Sequence, residues 1–155
     1  MKADAEAALH ALAATPARLM ELSRGVDEKA LAARPDPNEW SATEIVSHLR
    51  ANADVWGATI QRMIDQDNPT IRYVSPRGVM KKPDYAERPF KEGLELFVNE
   101  RKKLVTTLRA LPLAGWSRGA TFTATTRRHG TVLSYAQQMA AHEAAHLVQF
   151  EALFD

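Results

Sequence analysis

The sequence predicts an all-α fold, a four-helix bundle with long crossover loops. Three observations carry that expectation. Four stretches place apolar residues at every third or fourth position. Each is framed by helix start or stop signals. The gaps at residues 67–89 and 112–130 are longer than the connections usual in compact domains, which marks them as candidate binding loops or lids.

Residues 3–14 (ADAEAALHALAA) are rich in Ala and Leu, and Thr15-Pro16 reads as a cap followed by Pro at the first position of a second piece ending near Ser23. The first helix is therefore expected to kink or break at Pro16, because Pro lacks the N–H of the helical ladder. The second helix starts at Ser41, where Glu44 three residues on completes a capping box. Ala42, Ile45, Leu49, Ala53, Trp56, Ile60 and Met63 then form one face, reaching about Gln66. Residues 90–111 form the third, entered after Pro89 and left at Pro112, with Leu94, Phe97, Val98, Leu104, Val105 and Leu108 at similar spacing. The fourth, residues 132–153, begins after Gly130 and sets Tyr135, Met139, His142, His146, Phe150 and Leu153 along one stripe. The Thr-rich TFTATT stretch inside 112–130 is a place for a brief strand.

A chain of 155 residues, 45% apolar and 25% charged, fits one globular domain spanning 1–155. Twenty Lys+Arg against 19 Asp+Glu leave a charge of +1, which argues against nucleic acid as the main partner, since phosphate binding needs a concentrated basic surface. With no Cys there is no disulfide, no Cys-ligated zinc and no protein thiolate nucleophile. Any metal must be held by His, Asp or Glu. The acidic start, MKADAE, lacks a secretory apolar run, and no stretch matches a membrane span. A cytoplasmic protein acting on a small molecule, with neither nucleic acid nor membrane as partner, is the expectation.

Chemistry concentrates in the histidines at 10, 48, 129, 142 and 146. His142 and His146 lie four apart on one helix, so their rings are only about 40° apart around its axis. Two imidazoles on a core stripe must be satisfied by hydrogen bonds or give their lone pairs to a metal, and the pair alone leaves both readings open. Residues 142–146 also spell His-Glu-Ala-Ala-His, the string in which zinc peptidases use the Glu as general base. That reading is disfavoured. Only nine residues follow His146 and none is His, Gln149 and Ala152 replace the Gly and His of metzincins, and Glu151 and Asp155 are too near on the same segment.

A third ligand is then sought upstream. His48 leads, mid-way along the second helix, although at about 100° from Leu49 it falls on the flank of the apolar stripe and alone would read as a boundary residue. His10, on the Ala-rich first helix, is an alternative. His129, beside Arg127, Arg128 and Gly130, reads as a solvated loop residue.

Together the segments resemble a known family. Asn38-Glu39-Trp40-Ser41-Ala42-Thr43-Glu44-Ile45-Val46-Ser47-His48-Leu49 is similar to the Trp-Ser followed by a helix-borne His of the DinB-like (YfiT-like) superfamily of metal-dependent enzymes. His142-Glu-Ala-Ala-His146-Leu-Val-Gln149 resembles its closing H-x-x-x-H-x-x-Q. The stretch from Leu12 to Pro35, the third helix with Arg101 and the Gly130 entry fit as well, so the resemblance covers nearly the whole chain. It implies a four-helix bundle holding one divalent ion on His48, His142 and His146, often as a homodimer. Members with assigned activities include thiol-dependent S-transferases and a mycothiol-dependent isomerase. The function so implied is a metal-dependent transferase using a low-molecular-weight thiol. A hydrolase using metal-bound water, or a metal-binding interaction module without turnover, are the alternatives, because one fold hosts several chemistries.

Three imidazoles leave a coordination position open, as in catalytic rather than closed sites. Zinc or nickel are the leading ions, with iron and manganese also compatible with imidazole. Around such a site Gln149, one turn after His146, can orient a ligand or stay a surface Gln. Glu44 can accept a proton, but its place in the capping box already explains it. Glu143 can serve as general base or as an interhelical contact. Arg72, Arg77, Lys81, Lys82 and Lys91 either attract an anionic substrate or form a solvated basic face, and Trp40, Trp56 and Trp116 read first as core or loop anchors.

Overall fold

The capping box at the start of the second long helix is present in the computed structural model, which describes residues 1–154. Ser41 Oγ accepts from Glu44 N at 3.1 Å and Glu44 Oε1 accepts from Ser41 N at 3.1 Å. Two backbone donors that the first turn leaves free are thereby satisfied. In chain order the elements are α1 (Lys2–Ser23), α2 (Glu28–Ala32), α3 (Ala42–Asp65), β1 (Thr70–Arg72), α4 (Pro76–Met80), α5 (Pro83–Ala86) and α6 (Phe90–Ala110). A 3-10 turn (Leu113–Ser117), β2 (Gly119–Thr123), β3 (Arg127–Thr131) and α7 (Val132–Ala152) complete the chain.

The long helices form the expected four-helix bundle. α1 packs on α6 and α7, and α3 packs on the same two. Their directions follow from which residues meet. Gly93 lies against Val46 near the start of α3, while Thr107 and Gln61 line one groove, so α3 and α6 run parallel. Phe90 meets Phe150 with ring centroids 5.9 Å apart, so α6 and α7 oppose each other. Arg18 pairs with Glu151 at 3.0 Å near the carboxyl ends of α1 and α7, which are thus parallel neighbours. The order is up, down, down, up. Between the parallel α3 and α6 the chain must return along the whole bundle, which is why 67–89 is long. The second long connection stays at one end, where Arg118 Nε donates to Met63 O at 2.9 Å and its Nη2 to Gln66 O at 2.7 Å.

That connection holds more structure than a brief strand. β2 and β3 form an antiparallel hairpin with Thr121 opposite His129, and β1 joins β2 in parallel, Ile71 opposite Phe122. Ile71, Ala120 and Phe122 face the core, closing that end of the bundle with a small sheet. His129 therefore lies on a strand rather than in a loop, though exposed as expected.

Pro16 does not break the first helix, which is continuous from Lys2 to Ser23. Pro at position 16 removes the donor that Leu12 O would otherwise receive. Arg101 Nη1 of α6 supplies one instead, at 2.9 Å. The guanidinium is buried and also grips Glu143 of α7, Nη1 to Oε1 at 2.7 Å and Nη2 to Oε2. One side chain thus repairs α1 and links α6 to α7. Both charges have left water, and each is compensated by a two-bond pairing, the geometry in which a buried ion pair is tolerated.

Candidate metal centre

His48 occupies the second turn of α3, a stretch in which residues 45–53 are buried on every side. α6 and α7 cover two faces of α3, and the crossover elements α4 and α5 cover a third. The flank position read from the apolar stripe is therefore a core position, and His48 is only 4% exposed. His142 and His146 project from the second half of α7, where α7 runs antiparallel to α3, and both are half-buried.

The three rings converge through their Nε2 atoms. His48 Nε2 lies 2.9 Å from His142 Nε2, which lies 3.1 Å from His146 Nε2. All three can offer a ligand atom within 4.8 Å of one another. No carboxylate belongs to this group among the described residues. The donor set fits a divalent ion. Bonds of about 2.0–2.1 Å in tetrahedral geometry place ligand nitrogens about 3.3 Å apart. Direct hydrogen bonding serves the trio less well, because His142 Nε2 faces two ring nitrogens and can donate to only one. Buried Nδ1 atoms of His48 and His142 find no partner among the described residues, so nothing described there holds these rings on their far sides.

His146 is held differently. Its Nδ1 lies 2.8 Å from Gln149 Oε1, which can only accept. The ring proton is thus fixed on Nδ1 and the Nε2 lone pair is directed at the other two histidines. Gln149, one turn further along α7, takes the orienting place open to it in the sequence.

Charge at the centre follows from burial. Removal from water pushes His48 down to about 3, helped by His146, His142 and Arg77, and pushes His142 down to about 4, helped by His146 and Arg77. Both rings are neutral at neutral pH, with lone pairs available.

Tryptophans flank the group. Trp40, just before the cap of α3, sits 4.9 Å from the His48 ring and stacks 6.1 Å from His146. Trp56, two turns beyond His48, approaches His142 at 5.8 Å. Arg77 from α4 lies 5.2 Å over the Trp40 ring, which brings one cation of the crossover to the site. These three neighbours were not separable by sequence from ordinary anchors and a solvated basic face. The signals available were the Trp40-Ser41 pair of the family resemblance and the spacing of Trp56 from His48, eight residues along one helix.

Other sequence candidates fall elsewhere. Both oxygens of Glu143 are engaged by Arg101 inside the bundle. Glu44 completes its capping box and takes both oxygens to Arg34, at 2.7 and 2.6 Å, which holds its carboxyl below the ordinary range. His10 and His129 are exposed and outside the group. Among the basic residues of the crossover, Arg72, Lys81 and Lys82 are exposed, as is Lys91 at the start of α6. Trp116 is buried in the core. Asp155 lies outside the described residues.

Comparison with known proteins agrees with this architecture. YfiT from Bacillus subtilis, described as a probable metal-dependent hydrolase with an unusual four-helix bundle topology, superposes with a TM-score of 0.86 over 99% of this chain and 87% of its own. At 17% identity that likeness is one of fold. No curated protein matches the chain. The family description of the DinB superfamily matches residues 11–150, which take in all three histidines, the capping box before His48 and the Gln that follows His146. On that match the chain belongs to the DinB superfamily.

Proposed function

We propose that the protein is a metal-dependent transferase that holds one divalent ion, zinc or nickel, on His48, His142 and His146 and acts with a low-molecular-weight thiol. The observation that carries this reading is the donor set itself: three converging imidazoles, with no carboxylate among them in the described residues. A divalent ion held there supplies Lewis acidity, keeping a bound thiol deprotonated or lowering the pKa of a bound water to about 7.

The choice of thiol rests on what the chain's own residues are free to do. A water nucleophile profits from a carboxylate base, and the two nearest in sequence are occupied, Glu143 by Arg101 and Glu44 by Arg34 and the cap. A thiol, with an ordinary pKa near 8.5, needs no such base. Arg77 adds positive charge at the mouth, favouring an anionic group, while Trp40 and Trp56 shield two sides from water. With no Cys in the chain, the thiol comes from solution.

One second reading has a specific support. The likeness to YfiT, described as a probable metal-dependent hydrolase, favours hydrolysis at the same centre.

Elemental analysis of wild type beside His48→Ala and His146→Ala tests the centre, with near-stoichiometric metal expected only in wild type. Turnover of electrophilic substrates that requires added thiol supports the transferase. Thiol-independent hydrolysis abolished by a chelator replaces it with the hydrolase. Wild type that takes up no divalent ion removes both.

A further inference from the structure

A cavity of about 500 Å³ lies beside the histidines, between α3, α7 and the hairpin, within the size range of small-molecule sites. Trp56, Tyr73, Phe122 and Tyr135 line it, with Arg128 and Gln138 among its polar groups. One ring, that of Trp56, separates it from the three histidines. His142 meets Trp56 at 5.8 Å, Trp56 meets Tyr135 edge-on at 5.9 Å, and Tyr135 stacks on Phe122 at 4.8 Å. Trp56 is thus both a neighbour of His142 and a wall of the cavity.

Two features give the cavity a chemical preference. Its apolar lining is aromatic, and Tyr73 at its edge is 49% exposed, a ring left without cover in the folded chain. Flat faces of this kind favour a flat guest. Its formal charge comes from Arg128, which enters none of the ion pairs among the described residues and whose charge is felt at the Tyr135 phenol. Two of the aromatic walls pack directly on Gly130, where any side chain would push them out of place. A Cβ there would stand 2.6 Å from the Tyr135 ring and 3.1 Å from that of Phe122.

We infer that this cavity binds the body of the acceptor substrate, a planar organic anion whose rings lie against Trp56 and Tyr135 and whose carboxylate meets Arg128. Its naming as acceptor rests on the three histidines being the reacting centre; its binding does not.

The probe is 2-naphthoate, compared with the neutral 2-naphthalenemethanol, by calorimetric titration of the full chain. Wild type should bind the acid about tenfold more tightly than the alcohol, the size of one charge-assisted contact. Arg128→Gln, an exposed position, should erase that preference. Gln138→Trp, exposed at the cavity's edge, should fill the space and weaken both probes about tenfold or more, with an unchanged circular dichroism spectrum confirming the fold. Metal-stripped wild type and His48→Ala should bind the acid as before, so a failed metal centre leaves this result standing. The inference is overturned if wild type ignores the acid, if acid and alcohol bind equally, if Gln138→Trp binds like wild type, or if metal removal abolishes binding.

Discussion

Arg101 and Glu143 face each other in the middle of the bundle, 2% and 1% exposed, and the same guanidinium donates to the Leu12 carbonyl that Pro16 leaves without a helical partner. Three of the four long helices meet at that one side chain.

Removing either partner strands a charge in a place almost closed to solvent. Glu143→Gln is expected to destabilise the protein by about 3–5 kcal/mol, read as a fall in the urea midpoint. The double change Arg101→Met with Glu143→Met should be much milder, because it strands no charge, though Leu12 O then loses its donor. If Glu143→Gln leaves stability intact and abolishes turnover, the carboxylate acts in the chemistry instead.

Gln149 orients His146 without itself joining the three imidazoles. Gln149→Ala should weaken metal binding by about 10–100-fold, against a larger loss for His146→Ala. Competition with a chromophoric chelator measures both. Equal losses would make Gln149 a ligand, and no loss would make its contact incidental.

The histidines give the metal-free protein a pH dependence of known sign. His48 and His142 titrate near 6.5 when unfolded and are pushed down to about 3 and about 4 when folded. Between those values the unfolded chain binds more protons. Stability is therefore full above about pH 6.5 and falls as the pH drops toward 4, by at most about 1.4 kcal/mol per pH unit for each ring. Chelator-treated protein should show a lower urea midpoint at pH 5 than at pH 7.5, and His48→Ala a shallower decline. Equal midpoints at the two pH values for wild type contradict the assignment.

Ser41 caps the helix that carries His48 and follows directly on Trp40. Ser41→Ala should cost about 1 kcal/mol, within a range of about 0.5–2, visible as a lowered Tm. Glu44→Gln keeps a side chain able to accept at the cap, so activity should persist. Abolished turnover in a folded Glu44→Gln protein would return Glu44 to the chemistry.

What the sequence made legible were the features encoded locally. The Ser41 and Glu44 pair, the Pro89 and Pro112 boundaries and the His142 and His146 spacing each involve residues within a few turns of one another. Features supplied from afar were not legible. Continuity of α1 through Pro16 depends on Arg101, 89 residues from its acceptor Leu12. The depth of His48 depends on α4 and α5 covering a helix whose own pattern marks only one apolar stripe. β3, Arg127–Thr131, has a mostly exposed face and no alternation, so its pairing with β2 left no periodic trace. Arg77 looked like any other loop cation until α4 brought it over Trp40.

The winding of the chain also sets an order of events. β2 and β3 are joined by a short turn and can zip within microseconds, whereas β1 must wait for the whole of α4, α5 and α6 to be gathered in before it finds Phe122. His48 and His142, 94 positions apart, likewise meet only when α3 and α7 dock. The three-histidine group thus cannot exist before α3 and α7 dock, and metal uptake by a refolding chain is expected to lag behind closure of the hairpin.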